Sequence, residues 1–140
     1  MSVKKARAHL DLAKKQWDDA SVDSWEPEEP ESCVSTVFYA YENLIVAVAE
    51  ANGIGWKRNH YDKAELAATL AKQGKLKKNI RDLMLHLNDV RKDISYGEPG
   101  SDLQNEDLYE LVTDLEHMID DVEEIVSAKE GAAKGPSKRR

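Results

Sequence analysis

The stretch "NDVRKDISYGEP", residues 88–99, holds the side chains with the most chemical potential in this sequence. Arg91 stands seven residues after Met84 and four after Leu87, so on a helix it lies on or beside the apolar stripe Ile80, Leu83, Met84, Leu87, Val90 and Ile94. A guanidinium is always charged, and its fork of N–H donors can hold a phosphate or a developing oxyanion. Tyr96 follows with four residues between, and Gly97 and Pro99 then stop the helix. A tyrosine can stack on a base or donate a hydrogen bond. Its ordinary pKa of about 10 makes it a poor proton acceptor near neutrality, where a histidine, at about 6.5, is suited to the task.

Four histidines are present, His9, His60, His86 and His117, and none stands at metal-ligand spacing from another. A lone histidine on a helix is most often structural. His60 carries the most weight: it follows the basic loop "GIGWKRNH", which contains Lys57 and Arg58, and it precedes a short helix. It is therefore a candidate base or, alternatively, a helix-start residue. His60 and His86 are the histidines that could complete a site with Arg91. Glu42 is the notable acid, four residues after Phe38 and three before Ile45, at the edge of a buried stripe. A buried carboxylate needs a partner, and Arg91 is the obvious cation. A Glu42–Arg91 ion pair is the simplest structural account of the arginine.

Five segments must position these residues. Val3, Ala6, Leu10, Ala13, Trp17 and Ala20 alternate in steps of three and four, which is one face of a helix. "SVDSWEPEEPES" interrupts, and Pro30 and Glu31 suit the first turn of the next helix. That second helix, with Val34, Val37, Phe38, Tyr41, Leu44, Ile45 and Val48, is the most apolar and should be central; Asn52-Gly53 is its expected stop. A short helix over 61–73 ends at Gly74, and a fourth runs from about Leu76 to Ile94. The fifth starts near Leu103 and keeps its stripe to Val126. The expected architecture is all-α: an up-and-down bundle of four main helices plus one short helix, over residues 1–128. Residues 129–140, with no apolar side chain larger than alanine, read as a basic, disordered tail.

Composition agrees: 41% apolar, 34% charged and 6% aromatic over 140 residues describes one helical domain. No apolar run reads as a membrane span, and the basic N-terminus lacks the apolar stretch of a signal peptide. The one cysteine, Cys33, rules out an internal disulfide, suits a packing role, and points to a reducing, cytoplasmic setting. The net charge of −7 is uneven: residues 56–81 carry eight bases against two acids, whereas residues 98–124 carry eleven acids and no Lys or Arg. The middle of the chain could face nucleic acid; a solvated helical face is the plainer reading. With no Gly-rich phosphate loop, HExxH or paired CxxC, no cofactor or metal is expected.

Three stretches resemble HEPN domains: "STVFYAYENLIVAVAEANG", their aromatic and alanine-rich central helix; "RNHYDKAEL", the basic loop, His and short helix that follow; and "LNDVRKDISYGEP", their signature helix. The likeness covers roughly Val34 to Ile125. It implies an α-helical bundle that homodimerises. Many such proteins are metal-independent ribonucleases of toxin–antitoxin or defence systems. They use an Arg, four to six residues and then a His, with the dimer uniting two motifs. Others lack the motif and bind nucleotide, RNA or a protein partner such as a nucleotidyltransferase or antitoxin. Here Arg91 matches the arginine, but Tyr96, Gly97 and Glu98 occupy the positions where the histidine belongs. Three readings follow. Arg91 and Tyr96 are structural, in a structural or adaptor bundle whose acidic fifth helix binds a partner; or, with Glu42, Lys57 and Arg58, they bind nucleotide, RNA or a partner without cutting; or Arg91, Tyr96 and His60 form an unusual ribonuclease site.

Overall fold

The computed structural model describes residues 2–22, 26–27, 30–95 and 107–134. Its helices are α1 (Val3–Ala20), α2 (Pro30–Ala51), α3 (His60–Lys72), α4 (Arg81–Ser95) and α5 (Leu108–Lys134). Between α1 and α2, two-residue segments β1 (Ser21–Val22) and β2 (Glu26–Pro27) pair antiparallel, Ser21 opposite Pro27. The architecture is an all-α bundle of four long helices with α3 as the short fifth.

Local chemistry sets the helix limits. The Ser2 side chain accepts from the Lys5 N–H at 3.0 Å and caps α1, and the Ser21 hydroxyl donates to the Trp17 carbonyl at its far end. Gly53 (φ 69°) and Gly74 (φ 75°) take the left-handed conformation that closes α2 and α3. Behind them the Ile54 and Lys75 N–H groups donate back to the carbonyls of Ala49 and Leu70, both at 2.8 Å. α4 starts later than its apolar spacing predicts. Asn79 Oδ1 accepts from the Arg81 N–H at 3.0 Å, an arrangement that opens a helix at Arg81. Leu76 and Ile80 are buried all the same, delivered by irregular backbone. α5 starts at Leu108 with the Asp107 carboxylate accepting from the Glu110 N–H. It runs on to Lys134, past the expected end of the domain at Ala128.

α2 is the axis of the molecule. From Val37 to Ala51, only Tyr39, Asn43 and Glu50 are not buried. Its stretch Ser32–Ala51 is long and apolar enough to cross a membrane by length and composition, but 72% of that window is buried inside the bundle, as befits a core helix. Alanines 6 and 13 of α1 and 40, 47 and 51 of α2 are all fully buried, so small side chains let backbones approach. The Ser2 N–H reaches the Glu50 carbonyl at 3.2 Å, which fixes α1 antiparallel to α2. Cys33 is buried in the same core.

A polar seam fastens α1 to α5. Arg7 donates to both oxygens of Glu123 at 2.7 Å and also to Glu130 at 2.8 and 3.0 Å, Lys14 pairs with the same Glu123, and Trp17 Nε1 donates to the Val112 carbonyl at 2.9 Å. The order of these contacts makes α1 antiparallel to α5 as well. It also explains why α5 continues past Ala128: Glu130 is part of the clamp. The hydrogen bonds that Arg7 donates hold the Glu123 carboxyl well below the usual carboxylate range, and the same bonds to Glu123 and Glu130 raise Arg7. A depressed carboxyl pKa contributes stability that is complete above the unfolded value, near 4.3, and is lost as pH falls through the folded one. Glu123→Gln should therefore lower urea stability at pH 7 by about 1–2 kcal/mol, a charged hydrogen-bond pair partly screened by solvent. The gap between variant and parent should narrow below about pH 4. Urea titrations at pH 7 and pH 3 check both the size and the sign.

Candidate functional site

Glu42, His60 and Arg91, three of the residues singled out by chemistry, converge where α2, α3 and α4 meet. α2 presents Phe38, Tyr39 and Glu42 there. Phe38 is fully buried, Tyr39 is 37% exposed, and their ring centroids are 5.4 Å apart. Arg91, on α4, sets its guanidinium carbon 5.5 Å from the centroid of each ring. Its Nη2 donates to Asn88 Oδ1 at 2.7 Å and its Nε to the same oxygen at 3.3 Å. Asn88, one turn earlier and buried, thus aims the guanidinium.

His60 approaches the same rings from α3, at 5.2 Å from Phe38 and 6.3 Å from Tyr39. It is the first residue of α3, but the cap is Asn59, whose Oδ1 accepts from the Asp62 N–H at 2.7 Å. The imidazole is therefore not committed to capping. Its Nδ1 lies 2.6 Å from Glu42 Oε2. An ionised carboxylate only accepts, so Nδ1 carries the proton and Nε2 is left as the available acceptor. The other Glu42 oxygen faces Lys63 Nζ at 3.7 Å, one helical turn after His60. Glu42 is 4% exposed, and the imidazole N–H of His60 and the ammonium of Lys63 answer its burial.

The expected Glu42–Arg91 ion pair does not form. Among the described residues Glu42 pairs with His60 and Lys63, and Arg91 has no carboxylate partner. The separation runs along α2: Phe38 and Glu42 share a face one turn apart, and Arg91 of α4 meets it at Phe38 whereas His60 and Lys63 of α3 meet it at Glu42. Tyr96 lies outside the described residues. Lys57 and Arg58 are exposed in the loop before α3 and take part in no ion pair among the described residues. His86 is exposed on α4; the histidine that reaches the aromatic pair is His60. No family model matches this chain, and searches of curated proteins and of solved structures likewise found no match.

For the remaining members of the site the signals in the sequence are weak. Lys63 shares a helical face with His60 by its three-residue spacing, and Asn88 stands one turn before Arg91, but neither spacing names a partner on another helix. Among the described residues no group of three or more His, Cys, Asp or Glu side chains is gathered to hold a metal ion. What the arrangement can do is bind an anion at a guanidinium that no carboxylate among the described residues neutralises. It can stack a planar group against Tyr39 and offer or take a proton at His60 Nε2. Removing His60 should leave Glu42 buried with only the longer Lys63 contact. His60→Ala is expected to cost about 1–3 kcal/mol, and adding Glu42→Gln should recover part of that loss, because the uncompensated charge is then gone. Thermal or urea unfolding of the single and double variants reads this directly.

Proposed function

We propose that this chain is a HEPN-like helical module that binds the phosphate and base of a nucleotide or RNA at Arg91, Tyr39 and His60. The observation that carries the reading is the placement of Arg91: a guanidinium over two aromatic rings, aimed by Asn88 and free of any carboxylate among the described residues. A purely structural arginine in a bundle core is normally matched by an acid. Here the nearby acid, Glu42, is used for His60 and Lys63 instead. Aromatic faces beside a cation are the usual means of holding an unpaired base and its phosphate. A homodimer, a nucleotidyltransferase or antitoxin partner, and a cytoplasmic toxin–antitoxin or defence setting belong to this proposal by the HEPN resemblance.

A second reading, metal-independent ribonuclease, is favoured by one contact: Glu42 Oε2 at 2.6 Å from His60 Nδ1. A carboxylate holding one imidazole nitrogen leaves the other fixed in direction as a base, which is the role the motif histidine plays in active relatives of the proposed family. His60 would take the proton of a ribose 2′-hydroxyl while Arg91 steadies the charge that develops on the phosphate. His60, rather than Tyr96, is the residue this chemistry requires.

Both readings are tested with a labelled mixed-sequence RNA in EDTA and purified wild type, Arg91→Ala and His60→Ala. The binding module predicts retained RNA that is not cut, with affinity reduced about tenfold or more in Arg91→Ala, as loss of a charged phosphate contact implies. The ribonuclease predicts cleavage abolished in both variants. Wild-type affinity unchanged by Arg91→Ala, with no cleavage by any protein, would contradict both.

A further inference from the structure

The surface beside this site continues along the loop that precedes α3, and that loop is built around Trp56. Trp56 Nε1 donates to Glu50 Oε2 at 2.8 Å, His9 meets the indole edge-on at 5.9 Å, and Lys63 Nζ stands 5.6 Å from its centroid. Lys63 is the same ammonium that pairs with Glu42. The other route back is polar: His9 Nδ1 lies 2.9 Å from Asn43 Oδ1, and Asn43 Nδ2 donates to the Tyr39 carbonyl at 3.2 Å. Trp56 and the Tyr39–His60 pair are thus two aromatic positions joined by a continuous set of contacts.

Trp56 is only partly buried although it is so firmly held. Two hollows flank it, of about 390 and 220 Å³, and both are lined by Gly55 and Trp56. Nothing lies within 4 Å of where a Gly55 Cβ would be, so the approach is open. Lys57, which lines the smaller hollow, and Arg58 follow directly, both exposed and without an ion pair among the described residues. The acids that line these hollows each have a partner: Glu50 accepts from the indole, the Asp62 carboxylate from the Asn59 side-chain amide, and Glu65 from Arg81. An immobilised aromatic with room beside it and two unneutralised cations next in sequence is suited to a second base and its phosphate.

We infer that Trp56, with Lys57 and Arg58, forms a second nucleotide position, so that the occupant is a single-stranded oligoribonucleotide spanning Tyr39 to Trp56 rather than a free mononucleotide. This rests on the nucleotide-binding reading of Arg91. Stacking platforms spaced along a cationic groove bind successive unpaired bases, and a duplex, whose bases are stacked internally, has none to offer.

The test is calorimetric titration of the full chain with AMP and with a 2′-O-methyl tetra-adenylate, which cannot be cut through its 2′-oxygen. Wild type, Trp56→Leu and Arg58→Glu are compared. The expected result is that the tetranucleotide binds wild type at least tenfold more tightly than AMP. Each variant should then lose about tenfold for the tetranucleotide, which is what one base–aromatic stack contributes at the lower end, with AMP affinity unchanged. Arg58 is exposed, so Arg58→Glu decides the matter if Trp56→Leu also loses AMP through collapse of the loop. Tetranucleotide affinity unchanged in Arg58→Glu, with AMP still bound, would overturn the second position and leave the Arg91 site standing. Binding of neither ligand to wild type would overturn both.

Discussion

A carboxylate on the most buried helix of a bundle must be answered by hydrogen-bond donors and cations brought from elsewhere in the chain, and Glu42 is that carboxylate. Its partners both come from the first turn of α3, His60 through a short hydrogen bond and Lys63 through a longer ion pair. This requirement places the start of α3 against α2, and with it the imidazole beside Phe38 and Tyr39. The cost of burying Glu42 is met only when α3 is docked, so the geometry of the candidate site follows from the electrostatics of the core. Arg91 is released from neutralising Glu42 by the same arrangement and is left to face the aromatic rings.

The bundle divides into two halves of different character. On one side α1, α2 and α5 pack through small buried side chains and are sealed by the Arg7–Glu123–Glu130 clamp. On the other side α3, α4 and the Trp56 loop carry partly exposed aromatics and cations with incomplete neutralisation. In the first half Arg7, Lys14, Glu123 and Glu130 satisfy one another in a single network. In the second, groups left under-neutralised beside aromatic surface are where binding is to be sought.

Much of this was legible in the sequence because helices announce themselves by period. The stripes of α1, α2 and α5 read directly as buried faces, and glycines 53 and 74 marked real ends. Periodicity failed at Leu76 and Ile80, which are buried yet lie outside a helix: apolar spacing reports burial, whereas the start of α4 is set by Asn79. Apolar content also misjudged the end of α5, which is held by the charged contact of Arg7 with Glu130. For the site, Arg91, His60 and Glu42 stood out by residue type and position. Their pairing did not, because a helical wheel gives the face of a residue and not the neighbour it meets. The separation of eighteen positions between Glu42 and His60 is bridged only by the packing of α3 on α2.

The account depends most directly on the proton between His60 and Glu42. Long-range ¹H–¹⁵N correlation spectra of the imidazoles, recorded where the ring is neutral, report which nitrogen is protonated. The structure predicts the proton on Nδ1 of His60, with Nε2 bare, and a shift of that balance towards Nε2–H in Glu42→Gln. A His60 ring protonated on Nε2 in the wild type, unmoved by Glu42→Gln, would show that the buried carboxylate does not hold the histidine. The candidate site would then lose the residue that orients it.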